Sequence, residues 1–217
     1  MNADHIAIGL ASYVVLLFSL SFHESAHAWM AQRMGDDTAA QLGRISLNPI
    51  MHIDPVGTLL IPLLQFASGG MPLLAWAKPT PVQSRNFHPG MLARGHVLVA
   101  GAGPASNALL SLAFAVLLLA LVRTEAAARG DFSVLLLSLG IHLNVALAFF
   151  NLLPIPPLDG SWVASWGLPR GLGARYDRVV EPLGQYLLLL LFIPLARYVV
   201  MPLTSLVTGV VQRAIWS

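Results

Sequence analysis

The chain has 217 residues, 56% hydrophobic and only 10% charged, with a formal net charge of +2. A soluble domain carries roughly 25% charged residues, so the composition excludes an ordinary soluble protein and points to an integral membrane protein, one domain over residues 1–217. No basic cluster with interleaved aromatics is present, which argues against a nucleic-acid partner, and the lack of cysteine excludes disulfides and thiolate metal ligands.

The first apolar segment, Ile6–Met30, has the length of a membrane helix, and Ile6–Phe22 carries no charge. It lacks a basic leader and a cleavage site, which argues against a removed signal peptide. Near its end stands His23-Glu24-Ser25-Ala26-His27. On a helix the two histidines lie on one face a turn apart, where two imidazole nitrogens can grip one metal ion. Glu24 sits beside them, placed to take a proton from water. H-E-x-x-H is the spacing of zinc metallopeptidase sites. The apolar residues before His23 cover roughly 25 Å of a roughly 30 Å hydrocarbon core, so the site should lie a few ångströms inside the membrane boundary and be reached by water through a polar cavity.

After the motif, Ala40–Leu47 is expected to form a short β segment offering an edge to an unwound peptide. Val56–Ala77 follows as two short apolar halves around Ser68-Gly69-Gly70. Val97–Val122 and Phe132–Leu153 read as clear spans. Leu183–Val211 is long enough, but Pro194, Arg197 and Pro202 interrupt it, leaving one kinked span, two short helices, or a span plus an interfacial piece. The expected fold is an all-α polytopic membrane protein with about four to six membrane helices, one re-entrant hairpin and the short β segment.

Two histidines do not complete a catalytic zinc site, which usually has three protein ligands and an open position. Asp159 stands out among the remaining candidates. It follows Asn151-Leu152-Leu153-Pro154-Ile155-Pro156-Pro157-Leu158 and precedes Gly160. The prolines break any helix there and hold an extended backbone that can aim one carboxylate. A carboxylate so close to a span is costly unless paired or metal-bound. For Asp159 to meet the motif, both must lie at one face of the membrane. Val56–Ala77 must then cross an even number of times, hence the re-entrant reading. That face would carry Arg33, Arg44, Lys78, Arg85, Arg94, Arg170, Arg175 and Arg178, against Arg123 and Arg129 opposite. Positive residues favour the cytoplasm, so the motif should face it.

The pairing of H-E-x-x-H in a membrane helix with N-x-x-P-x-x-P-L-D-G resembles the site-2 protease family of intramembrane zinc metalloproteases. Gly103-Pro104-Ala105-Ser106-Asn107 and Gly43-Arg44-Ile45-Ser46-Leu47-Asn48-Pro49 resemble it too, and the likeness covers roughly residues 10 to 165. It implies a zinc metalloendopeptidase cutting transmembrane protein substrates within the lipid bilayer of a bacterial or archaeal cell membrane. It implies His23, His27 and Asp159 as Zn2+ ligands, Glu24 as catalytic base, and Asn151 as a contact to the substrate backbone. Family members often carry a PDZ or CBS domain; this sequence has room for neither, a minimal form.

Plainer readings stand beside these. Asp159 in Leu-Asp-Gly also suits a turn. Asn151 also suits a helix cap. Asn107 serves an interhelical hydrogen bond or a role near the site equally well. His142 and Asn144 suit helix–helix hydrogen bonds. The tryptophans suit an aromatic belt, and the Gly-x-Gly of the second clear span suits packing. Two other functions also fit in outline: a catalytically silent membrane scaffold with a structural metal site, and a metal transporter. The first has no need of Glu24. The second wants ionisable residues along a whole path, whereas here they cluster at one end.

Overall fold

The computed structural model describes residues 3–68 and 75–216. Among them, four helical runs are long and apolar enough to cross a membrane: Ile6–Arg33, Leu92–Arg123, Phe132–Asn151 and Gly171–Trp216. The first lies in α1 (Ala3–Arg33), which ends at Arg33 where Gly35, at φ +107°, and Asp36 turn the chain. The short α2 (Thr38–Gln41) follows. No strand occurs among the described residues, so the β segment expected at Ala40–Leu47 is not found. There Gly43, at φ +67°, closes α2 by donating to the Ala40 carbonyl, and Arg44 N donates to Ala39. The amides of Gly43 and Arg44 are used in that turn.

The next segment doubles back on itself. Asp54 caps it by accepting from the Val56 and Gly57 amides, and Pro55 suits the first helical position. A π-helical turn, Pro55–Leu60, leads into α3 (Ile61–Ala67). Together they make an apolar helix too short to be a span. It runs down beside α1: the Tyr13 hydroxyl donates to Thr58 O, and Phe66 packs on Gly9. Gly9 lies fourteen residues before His23, about 21 Å along the helix. The chain then returns. Trp76 N donates to Gly57 O and Lys78 N to His52 O, while Ala77 is buried with Leu16 and Leu20. The two arms of the hairpin are thus tied to each other alongside α1. The expected turn at Gly69-Gly70 lies outside the described residues.

The spans α4 (Leu92–Arg123) and α5 (Phe132–Asn151) pack on each other and on α1. Their far ends share a core of Leu118, Leu137 and Ile141 with Ile215. Near the motif end Ala31, Phe87 and Val99 form another. Past α5, the proline loop leads to α6 (Asp159–Gly167), which lies on α4. His96 of α4 stacks 4.2 Å from Trp166 of α6 and 5.5 Å from Trp162, so these rings join two elements rather than only marking an interface.

The C-terminal region is one nearly continuous helical path: α7 (Arg170–Val180), a 3-10 turn, α8 (Gly184–Leu195), a π turn at Ala196–Val200, and α9 (Met201–Trp216). The π turn falls between Pro194 and Pro202, whose missing N–H groups interrupt the regular ladder. At the far end from the motif, Trp216 of α9 lies 4.5 Å under the Arg129 guanidinium.

Candidate metal centre

His23, His27 and Asp159 come together: one ligand atom from each lies within 4.8 Å of the others. His23 and His27 lie one turn apart on α1, as their spacing requires, and are 4% and 7% exposed. Asp159 opens α6, where the helix N-terminus favours a carboxylate. It is held there by a close approach of backbone. A Cβ on Gly160 would lie 2.2 Å from the Leu152 carbonyl oxygen, so only glycine lets α6 begin against the end of α5. The prolines place the loop, and the glycine fixes its height.

The hydrogen bonds settle which ring nitrogens carry protons. His27 Nδ1 lies 2.7 Å from the Val99 carbonyl, which can only accept, so Nδ1 is the N–H. His23 Nδ1 lies 2.6 Å from Asn107 Oδ1. The Asn107 amide has only one sense here, because its nitrogen donates to the Ser19 carbonyl at 3.3 Å and to Asn144 Oδ1 at 2.8 Å. Asn144 is fixed in turn by donating to the Gly140 carbonyl and to Ser19 Oγ, both at 2.8 Å. His23 Nδ1 is therefore also an N–H, and in neutral rings both Nε2 atoms are bare.

Those bare nitrogens face each other at 3.0 Å. Asp159 Oδ2 lies 3.0 Å from His23 Nε2 and Oδ1 lies 3.2 Å from His27 Nε2. Apart from the imidazole, buried Oδ2 has no donor among the described residues. With both rings neutral, lone pairs from three side chains converge on one point, an arrangement that a cation stabilises. Two imidazoles and one carboxylate are a zinc donor set, with bases oriented through their other nitrogens. The residues fit the ion.

Gly103 belongs to this construction. A Cβ there would lie 2.4 Å from His27 Nε2 and 2.6 Å from His23 Nε2, whereas one on Gly101 would meet nothing within 4 Å. Of the two glycines, Gly101 is free of the site and Gly103 makes space for the imidazoles. Next to it Pro104 has no N–H for the Ala100 carbonyl, which loosens the α4 turn beside the Val99 acceptor.

Glu24 is held by the hairpin. Its Oε2 accepts from the Thr80 amide at 2.8 Å and lies 2.8 Å from the Thr80 hydroxyl. Thr80 sits in the extended return of the hairpin. Two residues earlier, the Lys78 carbonyl accepts from the Arg44 guanidinium. Arg44 is buried, and its Nε has no partner among the described residues. Burial pushes its guanidinium below the ordinary value, and the Glu24 carboxylate opposes that. Thr80 belongs to no motif, and the only hint of it in the sequence is its place between Pro79 and Pro81. Asn151 is not part of the cluster; its amide donates to Leu147 O of its own helix at 3.0 Å.

Comparison with known proteins agrees with this chemistry. A Bacillus subtilis protein named "Putative zinc metalloprotease YwhC" is 40% identical over 204 residues, covering 91% of this chain and 88% of that protein. The Mycolicibacterium smegmatis protein "Putative zinc metalloprotease Rip2" is 39% identical over 145 residues, 66% of this chain and 52% of its own length. A Methanocaldococcus jannaschii protein, "Putative zinc metalloprotease MJ0611", is 38% identical over 68 residues, 31% of this chain and 32% of its own. The chain thus spans most of YwhC but about half of Rip2. No family model matches the chain, and no solved structure does. A multi-pass membrane architecture, a three-ligand group able to hold zinc, and these relatives lead to one assignment: the chain belongs to the site-2 protease family of zinc metalloproteases.

Proposed function

We propose that this chain is an intramembrane endopeptidase that hydrolyses peptide bonds of transmembrane protein substrates near the cytoplasmic side of the bilayer. The observation that carries this reading is the convergence of His23 and His27 Nε2 on the Asp159 carboxylate, at the end of a membrane-length helix and one residue from Glu24. His23, His27 and Asp159 would hold the ion. Zinc, when bound, lowers the pKa of a coordinated water to about 7 and polarises a carbonyl. Glu24 takes a proton from the attacking water and returns it to the nitrogen of the leaving amine. A substrate helix hides its peptide bonds in its own hydrogen bonds and must unwind locally first. Asn151, where α5 ends, would then give its amide to the substrate backbone in exchange for its bond to Leu147.

Glu24→Gln tests the reading. The variant should keep roughly stoichiometric zinc and stop cleaving a membrane-spanning substrate in proteoliposomes. Full cleavage by that variant would remove Glu24 from the chemistry.

A further inference from the structure

A carboxylate acts as a base through one oxygen, and holding the other fixes which oxygen that is and where it points. On the reading that Glu24 is that base, we propose that Thr80 is its positioning residue, fastened in turn by Arg44. The Thr80 amide lies 2.8 Å from Glu24 Oε2, and the hydroxyl lies 2.8 Å from the same oxygen and 3.0 Å from the Glu24 backbone carbonyl. The hydroxyl has one proton, and the carboxylate is the stronger acceptor. Both donors therefore fall on Oε2, and Oε1 receives none among the described residues.

The strap that brings Thr80 there is built for one position. Pro79 and Pro81 carry no N–H, so the only amide donors of residues 78 to 81 belong to Lys78 and Thr80. Both are spent inward, Lys78 on the His52 carbonyl at 2.8 Å and Thr80 on Glu24. The Arg44 guanidinium takes the Lys78 carbonyl from the other side. The backbone of Lys78 is thus held through its N–H by the His52 carbonyl and through its C=O by the Arg44 guanidinium. Two residues on, with φ fixed by proline, Thr80 is delivered to α1. Fixing one torsional freedom of a base before the reaction is a form of preorganisation that acts on turnover more than on substrate affinity.

The test compares Thr80→Val, which removes the hydroxyl and keeps the amide, with Thr80→Ser, which keeps both; Thr80→Ala is the companion should valine disturb the packing. Zinc stoichiometry and Tm are measured beside steady-state cleavage in proteoliposomes. Thr80→Val and Thr80→Ala should lower kcat about tenfold, about 1.4 kcal/mol in the barrier, with KM within about twofold and zinc unchanged. Thr80→Ser should recover most of the rate. Wild-type kcat in valine and alanine variants that keep zinc overturns the proposal, as does a serine variant as slow as alanine. Glu24→Gln keeps the two ideas apart. If it cleaves, the base assignment has failed whatever Thr80 does. If it is dead while Thr80→Val turns over normally, only the role of Thr80 has failed.

Discussion

Asn107 Oδ1 lies 2.6 Å from His23 Nδ1, and the other end of the same amide is bonded to Ser19 O and Asn144 Oδ1. A residue on α4 therefore sets the tautomer of a residue on α1, and a residue on α5 sets the sense of that amide. Orienting partners of metal-bound histidines typically carry a 10–100-fold share of metal affinity. Asn107→Leu should weaken zinc binding by about that factor in a chelator competition assay. Unchanged affinity in the folded variant would leave Asn107 as a packing residue alone.

Gly103→Ala should be far more damaging than Gly101→Ala. The first places a methyl group 2.4 Å and 2.6 Å from the two Nε2 atoms, where helix and rings must both give way. The second meets open space. Gly103→Ala is expected to lose most zinc and cleavage while staying helical by circular dichroism; Gly101→Ala should keep both. Equal behaviour of the pair would contradict the cradle.

Asp36 gives a pH prediction. Its buried carboxylate accepts from the Thr38 amide and hydroxyl, the Gln83 amide at 2.6 Å and the Asn86 side chain at 2.9 Å, latching the end of α1 to residues 83–86. Burial pushes this carboxyl up, but the donors from Thr38, Gln83 and Asn86 outweigh it and hold it below its ordinary value. A depressed folded-state pKa adds stability above the unfolded value, about 3.9, which is lost as pH falls through the folded value. Tm in detergent should therefore fall as pH drops below about 4, and Asp36→Asn should flatten that slope and be less stable near pH 7. A wild-type slope in the Asn variant would assign the acid sensitivity to other carboxyls.

The orientation is testable because the chain has no cysteine of its own. Single cysteines at positions 85 and 178 should both react with a membrane-impermeant maleimide from the cytoplasmic side, and one at position 126 from the opposite side. A reversed pattern would turn the protein over in the bilayer. Opposite labelling of 85 and 178 would show the membrane crossed an odd number of times between them.

Spacing along one helix or one loop was legible without a structure. His23 and His27 had to share a face of α1 because four residues make about one helical turn. The break before Asp159 followed from proline's missing N–H and fixed φ. The return of Val56–Ala77 toward its start was expected from requiring both halves of the site at one membrane face, and its two arms do lie side by side. The β segment expected at Ala40–Leu47 is absent among the described residues: a run of residue types does not disclose the turn at Gly43 and Arg44, whose amides close α2.

What the sequence determined by itself was therefore whatever depends on residue type and local period: the membrane class, the zinc motif, the candidate third ligand and the site's place at one end of α1. Only the tertiary structure decided what depends on contacts between distant parts of the chain. Thr80 reaches Glu24 across 56 residues, Asn107 reaches His23 across 84, and a backbone carbonyl, Val99, does for His27 what Asn107 does for His23. A carbonyl has no letter in the sequence, and a threonine between two prolines looks like any loop residue. Their roles arise only when packing in the membrane brings α1, α4 and the returning hairpin within hydrogen-bonding distance, where a buried polar group must find a partner.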